Sequence, residues 1–189
     1  MPIFRARDRL RLAVEAAVMT PSLAGARRVL VLGGCGAGKS TLTRRLAAAL
    51  GLPAIHLDAE YFAPGWVEPE ATAWRDRLLA LAARDQWVMD GNHAPTLPQR
   101  LARAEAVVWL DLPTGVCFRR VLLRLARGYG RVRVDMAPGC PERLDPAFLL
   151  YVLRFRATQR PKLAAALRTF PGPVLAARSA ADVRALFDP

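Results

Sequence analysis

The sequence is poor in lysine, cysteine and histidine, and it has no long apolar run. Three cysteines, at positions 35, 117 and 140, and two histidines stand among 189 residues. This scarcity excludes a disulfide framework and offers no zinc-ligand pattern. No apolar stretch approaches the roughly 18–20 residues that cross a membrane. We therefore expect a protein of a reducing, cytoplasmic compartment with no membrane partner.

Arginine and apolar side chains are abundant instead. Hydrophobic residues make up 53% and charged residues 23% of the sequence, as is typical of a globular domain. The formal net charge is +12, and the segment 114–168 carries nine of these charges because it holds 12 basic and three acidic residues. Such a charge suits a polyanionic nucleotide or a nucleic acid as partner, or reflects an arginine-rich genome.

The most specific motif is VLVLGGCGAGKST, residues 29–41. A short apolar run leads into GGCGAGKS, which matches the pattern G-x-x-x-x-G-K-[ST], and a helical pattern follows at once. Strand, glycine loop and helix in this order predict a phosphate-binding loop. Glycines let successive backbone N–H groups turn toward an anion, and the new helix adds its positive N-terminal end.

The motif predicts how single residues at the end of the loop bind ATP, with Thr41 as a further phosphate contact. We expect Lys39 to contact the β- and γ-phosphates and Ser40 to ligate Mg²⁺. Only two of the 28 basic residues are lysines, Lys39 and Lys162, so a lysine in this loop indicates that a compact ammonium is needed there. The predicted nucleotide-binding residues are Gly33, Gly34, Cys35, Gly36, Ala37, Gly38, Lys39, Ser40 and Thr41.

Apolar strands alternate with amphipathic helices along the rest of the chain. Strands are predicted at 54–57, 86–89, 106–110 and 174–176, and helices at 40–50, 70–84, 96–103, 114–127, 146–168 and 179–187, the long one kinked or divided at Pro161. This order predicts an α/β fold with a parallel sheet covered on both faces. We expect a single domain over residues 28–189. Residues 1–27 are predicted to be a helical extension, with Met19 as an alternative start.

Three aspartates follow predicted strands: Asp58, Asp90 and Asp111. Since ligands of parallel sheets bind at the carboxyl ends of the strands, these side chains are expected near the glycine loop. Asp58 or Asp90 is a candidate to orient or deprotonate an acceptor hydroxyl. Helix capping or a turn is the alternative for each, and it weighs most for Asp111.

Aromatic residues cluster just after Asp58. The rings of Tyr61, Phe62 and Trp66 line an acceptor pocket or seal the edge of the core, and the sequence does not separate these alternatives. His93 is interpreted as a structural loop residue rather than a base.

Together these features resemble the adenylate-kinase-related P-loop proteins, and most closely the small bacterial group known as DNA topology modulation proteins. The resemblance rests on HLDAEYFAPGW (56–66), WVMDGN (87–92) and RVDMAPGCPERLD (133–145), and it covers residues 28–187. It implies a three-layer P-loop NTPase fold like that of nucleoside-monophosphate kinases. The sheet would have five parallel strands in the order 2-3-1-4-5, with an arginine-rich lid over residues 128–145.

The resemblance also implies roles for single residues. Asp90 would lie beside the Mg²⁺ water shell and Asp58 would contact the acceptor, while Arg178 and Ser179 would touch the base. Arginines of the lid and its flanking helices would clamp the transferring phosphoryl group. The candidates are Arg120, Arg124, Arg127, Arg131 and Arg133, with Arg154 and Arg156 on the return helix.

One departure from the family pattern concerns the acceptor. Asp90-Gly91-Asn92-His93-Ala94 stands where adenylate kinases have D-G-F-P-R, so the catalytic arginine has no counterpart, which argues against AMP as acceptor. We expect an ATP- and Mg²⁺-dependent phosphotransferase with a small-molecule or nucleotide acceptor, as a monomer or homodimer. The alternative is a nucleotide-dependent regulator that binds DNA.

Overall fold

The computed structural model describes residues 23–187, which form a parallel sheet with helices on both faces. The strands are β1 (Arg28–Gly33), β2 (Ala54–His56), β3 (Trp87–Asp90), β4 (Ala106–Leu110) and β5 (Val174–Ala177). Neighbouring strands pair in the order β2-β3-β1-β4-β5, and every pair is parallel. The predicted α/β fold and its strand order are confirmed. The helix predicted before β1 lies largely outside the described residues.

The connections between strands are helical. The helices are α1 (Lys39–Leu50), α2 (Leu57–Tyr61), α3 (Ala71–Ala83), α4 (Leu97–Arg103), α5 (Thr114–Gly128), α6 (Pro146–Thr158), α7 (Arg160–Arg168) and α8 (Ala180–Ala185), with a 3₁₀ turn at Ala94–Thr96. Pro161 divides the long predicted helix, because α6 ends at Thr158 and α7 begins at Arg160. Among residues 23–187, no helix is long and apolar enough to cross a membrane.

The central strand β1 fixes the position of the glycine loop that follows it. Val29 and Val31 point into the core on one face of the sheet and Leu30 and Leu32 into the core on the other, and all four side chains are fully buried. Burying each such side chain stabilises the fold by about 1.5–3 kcal/mol. The glycine loop therefore begins at the end of a strand whose apolar side chains are fully buried in the centre of the sheet.

The second strand is shorter than predicted, and a helix replaces its end. The strand β2 stops at His56 and α2 begins at Leu57, so Asp58 lies in the first turn of a helix and not directly after a strand. Leu57 is buried against the core, and the carboxylates of Asp58 and Glu60 occupy the first turn. Negative charge there stabilises a helix start. Five residues are too few for a helical period to show in the sequence.

The lid, residues 128–145, is irregular as predicted, and it packs against the aromatic loop, residues 62–70, which carries Phe62 and Trp66. Its residues Met136, Ala137 and Cys140 are buried against Phe62 and Trp66. The Trp66 indole N–H donates to the Pro141 carbonyl at 3.0 Å, and the Gly65 N–H donates to the Gly139 carbonyl at 2.9 Å. Lid and aromatic loop thus form one packed unit; the lid's predicted mobility stays a prediction.

Candidate functional site

The glycine loop wraps from the end of β1 to the start of α1. Gly36 has φ +80°, and a Cβ there would lie 2.3 Å from the Cys117 carbonyl oxygen of α5. Only glycine fits at this point, since both the backbone conformation and the space exclude a side chain. The Lys39 ammonium donates to the Gly34 carbonyl at 3.1 Å. The lysine side chain therefore contacts the backbone of the glycine loop that precedes it.

A cleft of about 920 Å³ joins this loop to the aromatic residues. Cys35, Gly36, Lys39 and Ser40 form one part of its wall. Another part is formed by the predicted acceptor residues Asp58, Tyr61, Phe62 and Trp66. Trp74 and His93, which were not predicted for this site, line the same part of the cleft. Arginines and carboxylates of α5 and the lid complete the wall, namely Arg120, Arg124, Arg133, Asp135 and Glu142. The cleft therefore brings a phosphate-binding motif and a ring-lined hollow together.

Asn92 links the end of β3 to the glycine loop. Its Oδ1 accepts from the Gly33 N–H at 3.0 Å, and its Nδ2 donates to the Gly33 carbonyl at 2.7 Å. Gly91 lets the chain approach so closely: its φ is +126°, and a Cβ there would lie 2.7 Å from the Leu57 side chain. The sequence stretch WVMDGN thus has a structural reason for its glycine and its asparagine.

Arg100 is a buried residue that sequence reasoning missed. Its guanidinium is fully buried and donates to the carbonyls of Gly91 at 2.7 Å and His93 at 2.8 Å. Burial lowers the pKa of Arg100 to about 10. It holds the loop that carries Asn92 and His93. Arginine is so common in this chain that nothing in the sequence distinguishes Arg100 from a surface residue.

Asp90 is paired with a histidine and does not form part of the cleft wall. Its Oδ2 lies 2.5 Å from the Nδ1 of His56, the last residue of β2, and its carboxylate is buried. Burial of His56 opposes its protonation, but the hydrogen bond and charge of Asp90 outweigh this and raise its pKa. The role predicted for Asp90 beside Mg²⁺ stays a prediction. His56, its hydrogen-bond partner, was not among the predicted site residues.

Arg133 of the lid and Arg124 of α5 are already engaged by carboxylates. Arg133 contacts Glu142 at 2.6 Å and Asp135 at 3.1 Å, and Arg124 contacts the same Glu142 at 3.0 Å. Glu142 and Asp135 are both buried. Acidic side chains therefore hold the positive groups in place at the cleft, which the net charge of the segment did not reveal.

Asp135 reaches from the lid to the start of α1. Burial opposes ionisation of this carboxyl, but Arg133 and the Ser40 hydroxyl outweigh it and lower its pKa. Oxygen ligands such as these are the ones that Mg²⁺ prefers. In the described part of the chain no cluster of three His, Cys, Asp or Glu side chains suits a metal.

Of the other predicted residues, Arg120 contacts the glycine loop, and the rest lie outside the cleft wall. Arg120 donates to the Ala37 carbonyl of the glycine loop at 3.2 Å. Asp111 forms a bidentate pair with Arg160, both contacts at 2.7 Å, and lies 3.6 Å from Arg156; it is an ion-pair residue at the end of β4. The structure does not bring the following exposed residues to the cleft wall: Arg127, Arg131, Arg154, Arg178 and Ser179.

Comparisons with solved structures identify the fold that holds this cleft. No family model matches the chain, and no curated protein matches it. The similar solved structures include two shikimate kinases and a gluconokinase. A shikimate kinase from Bacteroides thetaiotaomicron is 20% identical, with a TM-score of 0.52 over 86% of this chain and 95% of that one. A shikimate kinase from Acinetobacter baumannii in complex with shikimate is 22% identical, with a TM-score of 0.51 over 87% and 92%.

The third similar structure is a gluconokinase from Sinorhizobium meliloti 1021, 19% identical, with a TM-score of 0.50 over 85% of this chain and 89% of that one. At such identities the likeness establishes the fold alone. The chain has the nucleoside-monophosphate-kinase-like fold of P-loop kinases. None of the three concerns DNA topology modulation, and that part of the resemblance is not confirmed.

Proposed function

We propose that this protein is an ATP-dependent phosphotransferase that moves the γ-phosphoryl group to the hydroxyl of a small acceptor. The observation that carries the proposal is the shared cleft. Lys39 and Ser40 of the glycine loop lie in its wall together with Asp58 and the aromatic residues. Phosphoryl transfer needs mainly positioning and charge neutralisation, and a cleft of this kind supplies both.

The donor side of the site is built from α1, α5 and the lid. The glycine loop would hold the phosphates of ATP through its N–H groups, with Lys39 released from the Gly34 carbonyl to contact them. Arg120 is fixed to the same loop by the Ala37 carbonyl, and Arg124 lies beside it in the cleft wall. These cations would stabilise the charge that develops on the transferring group.

Ser40 would hold Mg²⁺ with the phosphates, and Asp135 is the carboxylate that lies against it. When bound, the ion neutralises phosphate charge. Asp90 would act on the water shell of this ion from a position outside the cleft wall, where His56 fixes the orientation of its carboxylate.

Asp58 is the candidate base. In the transfer, the acceptor oxygen forms a bond to the γ-phosphorus while the bond to the β,γ-bridging oxygen breaks and ADP keeps the electron pair. The proton of the acceptor hydroxyl passes to the Asp58 carboxylate, which is exposed to the cleft. A positioned carboxylate of this kind contributes about 10²–10⁴-fold to the rate.

The names of the similar structures support a small acceptor, since they are kinases of shikimate and of gluconate. For the DNA-binding alternative the described residues offer no specific observation. Several arginines of the basic segment face the cleft or pair with Asp111, Asp135 and Glu142.

Acceptor-dependent release of ADP tests the proposal. The protein is incubated with MgATP and a panel of alcohols, sugars, nucleosides and nucleotides, and at least one acceptor is expected to raise ADP release well above hydrolysis. Asp58→Asn should lower this rate about 10²–10⁴-fold and leave ATP affinity unchanged. The control is Asp76→Asn, an exposed aspartate of α3. Hydrolysis unaffected by every acceptor would refute the function.

A further inference from the structure

We infer that the acceptor contains a flat, π-rich ring system, as a nucleoside or an aromatic alcohol does, and is not a saturated-ring or open-chain polyol without such a ring. The inference rests on the proposed function and names the substrate class of that site. It comes from the wall of the acceptor side of the cleft, which consists of aromatic rings joined to one another.

The rings form a connected series along the wall. Tyr61 packs edge-to-face on Phe62 with centroids 4.7 Å apart and on Trp74 at 5.0 Å. Phe62 continues to Trp66 at 5.0 Å, and Trp74 continues to His93 at 5.8 Å. All five residues line the cleft. Rings held in this way present fixed faces and edges that match another planar ring.

These rings are not fully covered by the protein. Tyr61, Phe62, Trp66 and His93 are only half-buried, although the aromatic loop packs closely against the lid. Apolar ring surface that faces a water-filled cleft favours a ligand that displaces the water. The hydroxyl groups of a polyol would find few hydrogen-bond partners on such a wall. A planar ring would bury its own apolar surface together with the apolar surface of the wall.

One polar group among the rings is available for a hydrogen bond to an atom of a bound ring. The Tyr61 hydroxyl is already used, since it donates to Glu68 at 2.8 Å, and His93 Nδ1 pairs with Thr96 at 2.9 Å. The Trp74 indole N–H is buried and has no hydrogen-bond partner in the described part of the chain. A buried donor without a partner is costly, and an acceptor atom of a bound ring would satisfy it after a small shift of the indole.

The charged groups at the rim agree with this class. The Arg143 guanidinium lies 5.2 Å from the centroid of the Trp66 ring, a planar cation stacked on the same series. Asp58 and Glu68 line the same region of the cleft and disfavour an acceptor with many negative charges. The ring series thus selects the body of the acceptor, and Asp58 remains free to meet its hydroxyl.

Direct binding tests the inference without catalysis. Trp66 and Trp74 report on the cleft by fluorescence, with the non-hydrolysable ATP analogue and Mg²⁺ present. Two arms of ring ligands are titrated, nucleosides and ribose-free aromatic alcohols, against shikimate, gluconate and glycerol. Saturable quenching by either ring arm is expected, and the two arms distinguish the source of the ring. No quenching by any ring ligand, or binding by the polyols alone, overturns the inference.

Variants of Tyr61 distinguish the contribution of its ring to ligand binding from an effect on folding. Tyr61→Leu should weaken ring-ligand affinity about 5–100-fold, as loss of one stacking partner does, and Tyr61→Phe should recover it. Tyr129→Leu, an exposed aromatic of the lid outside the cleft wall, is the control, and unchanged ATP affinity shows that each variant is folded. Equal affinity in Tyr61→Leu and Tyr129→Leu overturns the inference.

Failure of this inference is distinct from failure of the proposed function. If shikimate, gluconate or glycerol accepts the phosphoryl group and ring compounds do not, the phosphotransferase stands and the ring class is wrong. If ring compounds quench fluorescence but no acceptor stimulates ADP release, the binding class stands and the transfer reaction is wrong.

Discussion

Asn92 holds Gly33 through both atoms of its side-chain amide: Oδ1 accepts from the Gly33 N–H at 3.0 Å, and Nδ2 donates to the Gly33 carbonyl at 2.7 Å. Gly33 is the last residue of β1 and pairs with Leu110 of β4 on its other side. The first residue of the glycine loop is therefore fixed by neighbours on both sides. The loop is held in shape from the β3 side before any nucleotide binds.

Replacing this asparagine should loosen the loop. Asn92→Ala leaves the Gly33 N–H and carbonyl without their partners, so the free energy of unfolding is expected to fall by about 1–3 kcal/mol, and ATP affinity should fall with it. Urea unfolding and nucleotide titration measure the two effects. Gln99→Ala, an exposed amide of α4, is the control. Unfolding midpoints equal to those of the control would contradict the role given to Asn92.

Arg100 should be intolerant of lysine. A single ammonium does not bridge the carbonyls of Gly91 and His93 as the guanidinium does, and the shorter group leaves buried polar atoms unpaired. Arg100→Lys is expected to cost about 2–4 kcal/mol in thermal or urea unfolding. Arg103→Lys, an exposed change on the same helix, should cost far less. Similar losses in both variants would show that Arg100 does not position the loop.

Cys35 offers a chemical probe of the glycine loop. It lines the cleft, whereas Cys117 and Cys140 are buried, so one thiol should react with an alkylating reagent in the folded protein. Burial raises the pKa of the Cys35 thiol, so its thiolate fraction and reaction rate should increase as pH rises above the usual thiol range. MgATP is expected to slow the labelling.

The rate of labelling is followed by mass spectrometry with and without MgATP. Cys35→Ser identifies the reacting thiol, because it should abolish the fast-reacting fraction. If MgATP leaves the labelling of Cys35 unchanged, the nucleotide does not cover this loop.

The sheet and the glycine loop were predictable because their signals are local and strong. A strand buried on both faces must be apolar throughout, as Val29 to Leu32 are, and the spacing of Gly33, Gly38 and Lys39 admits few other interpretations. The strand order followed from the resemblance and is confirmed. Proline gave the break between α6 and α7, since Pro161 has no N–H for a continuous helix.

Contacts between distant parts of the chain were not predictable from the same patterns. The helix α2 is shorter than two turns, so Asp58 appeared to follow a strand directly. Nothing in the sequence distinguishes Arg100 from a surface arginine, yet it is buried under a loop. Arg133 is a predicted lid candidate, but its pairing with Glu142 and Asp135 has no signal in the sequence. Such roles depend on which carbonyl or carboxylate the fold brings near, and residue spacing does not record that.

The central claim is that Lys39 in the glycine loop holds the phosphates of ATP. Its most direct test compares ATP binding and turnover in Lys39→Ala with those in Lys162→Ala, which removes the other lysine, an exposed residue of α7. We expect Lys39→Ala to lose at least about 100-fold in turnover, as when a single transition-state donor is removed, with ATP affinity weakened and the unfolding midpoint unchanged. Lys162→Ala should match the parent protein. Equal ATP affinity and turnover in the two variants would contradict the account.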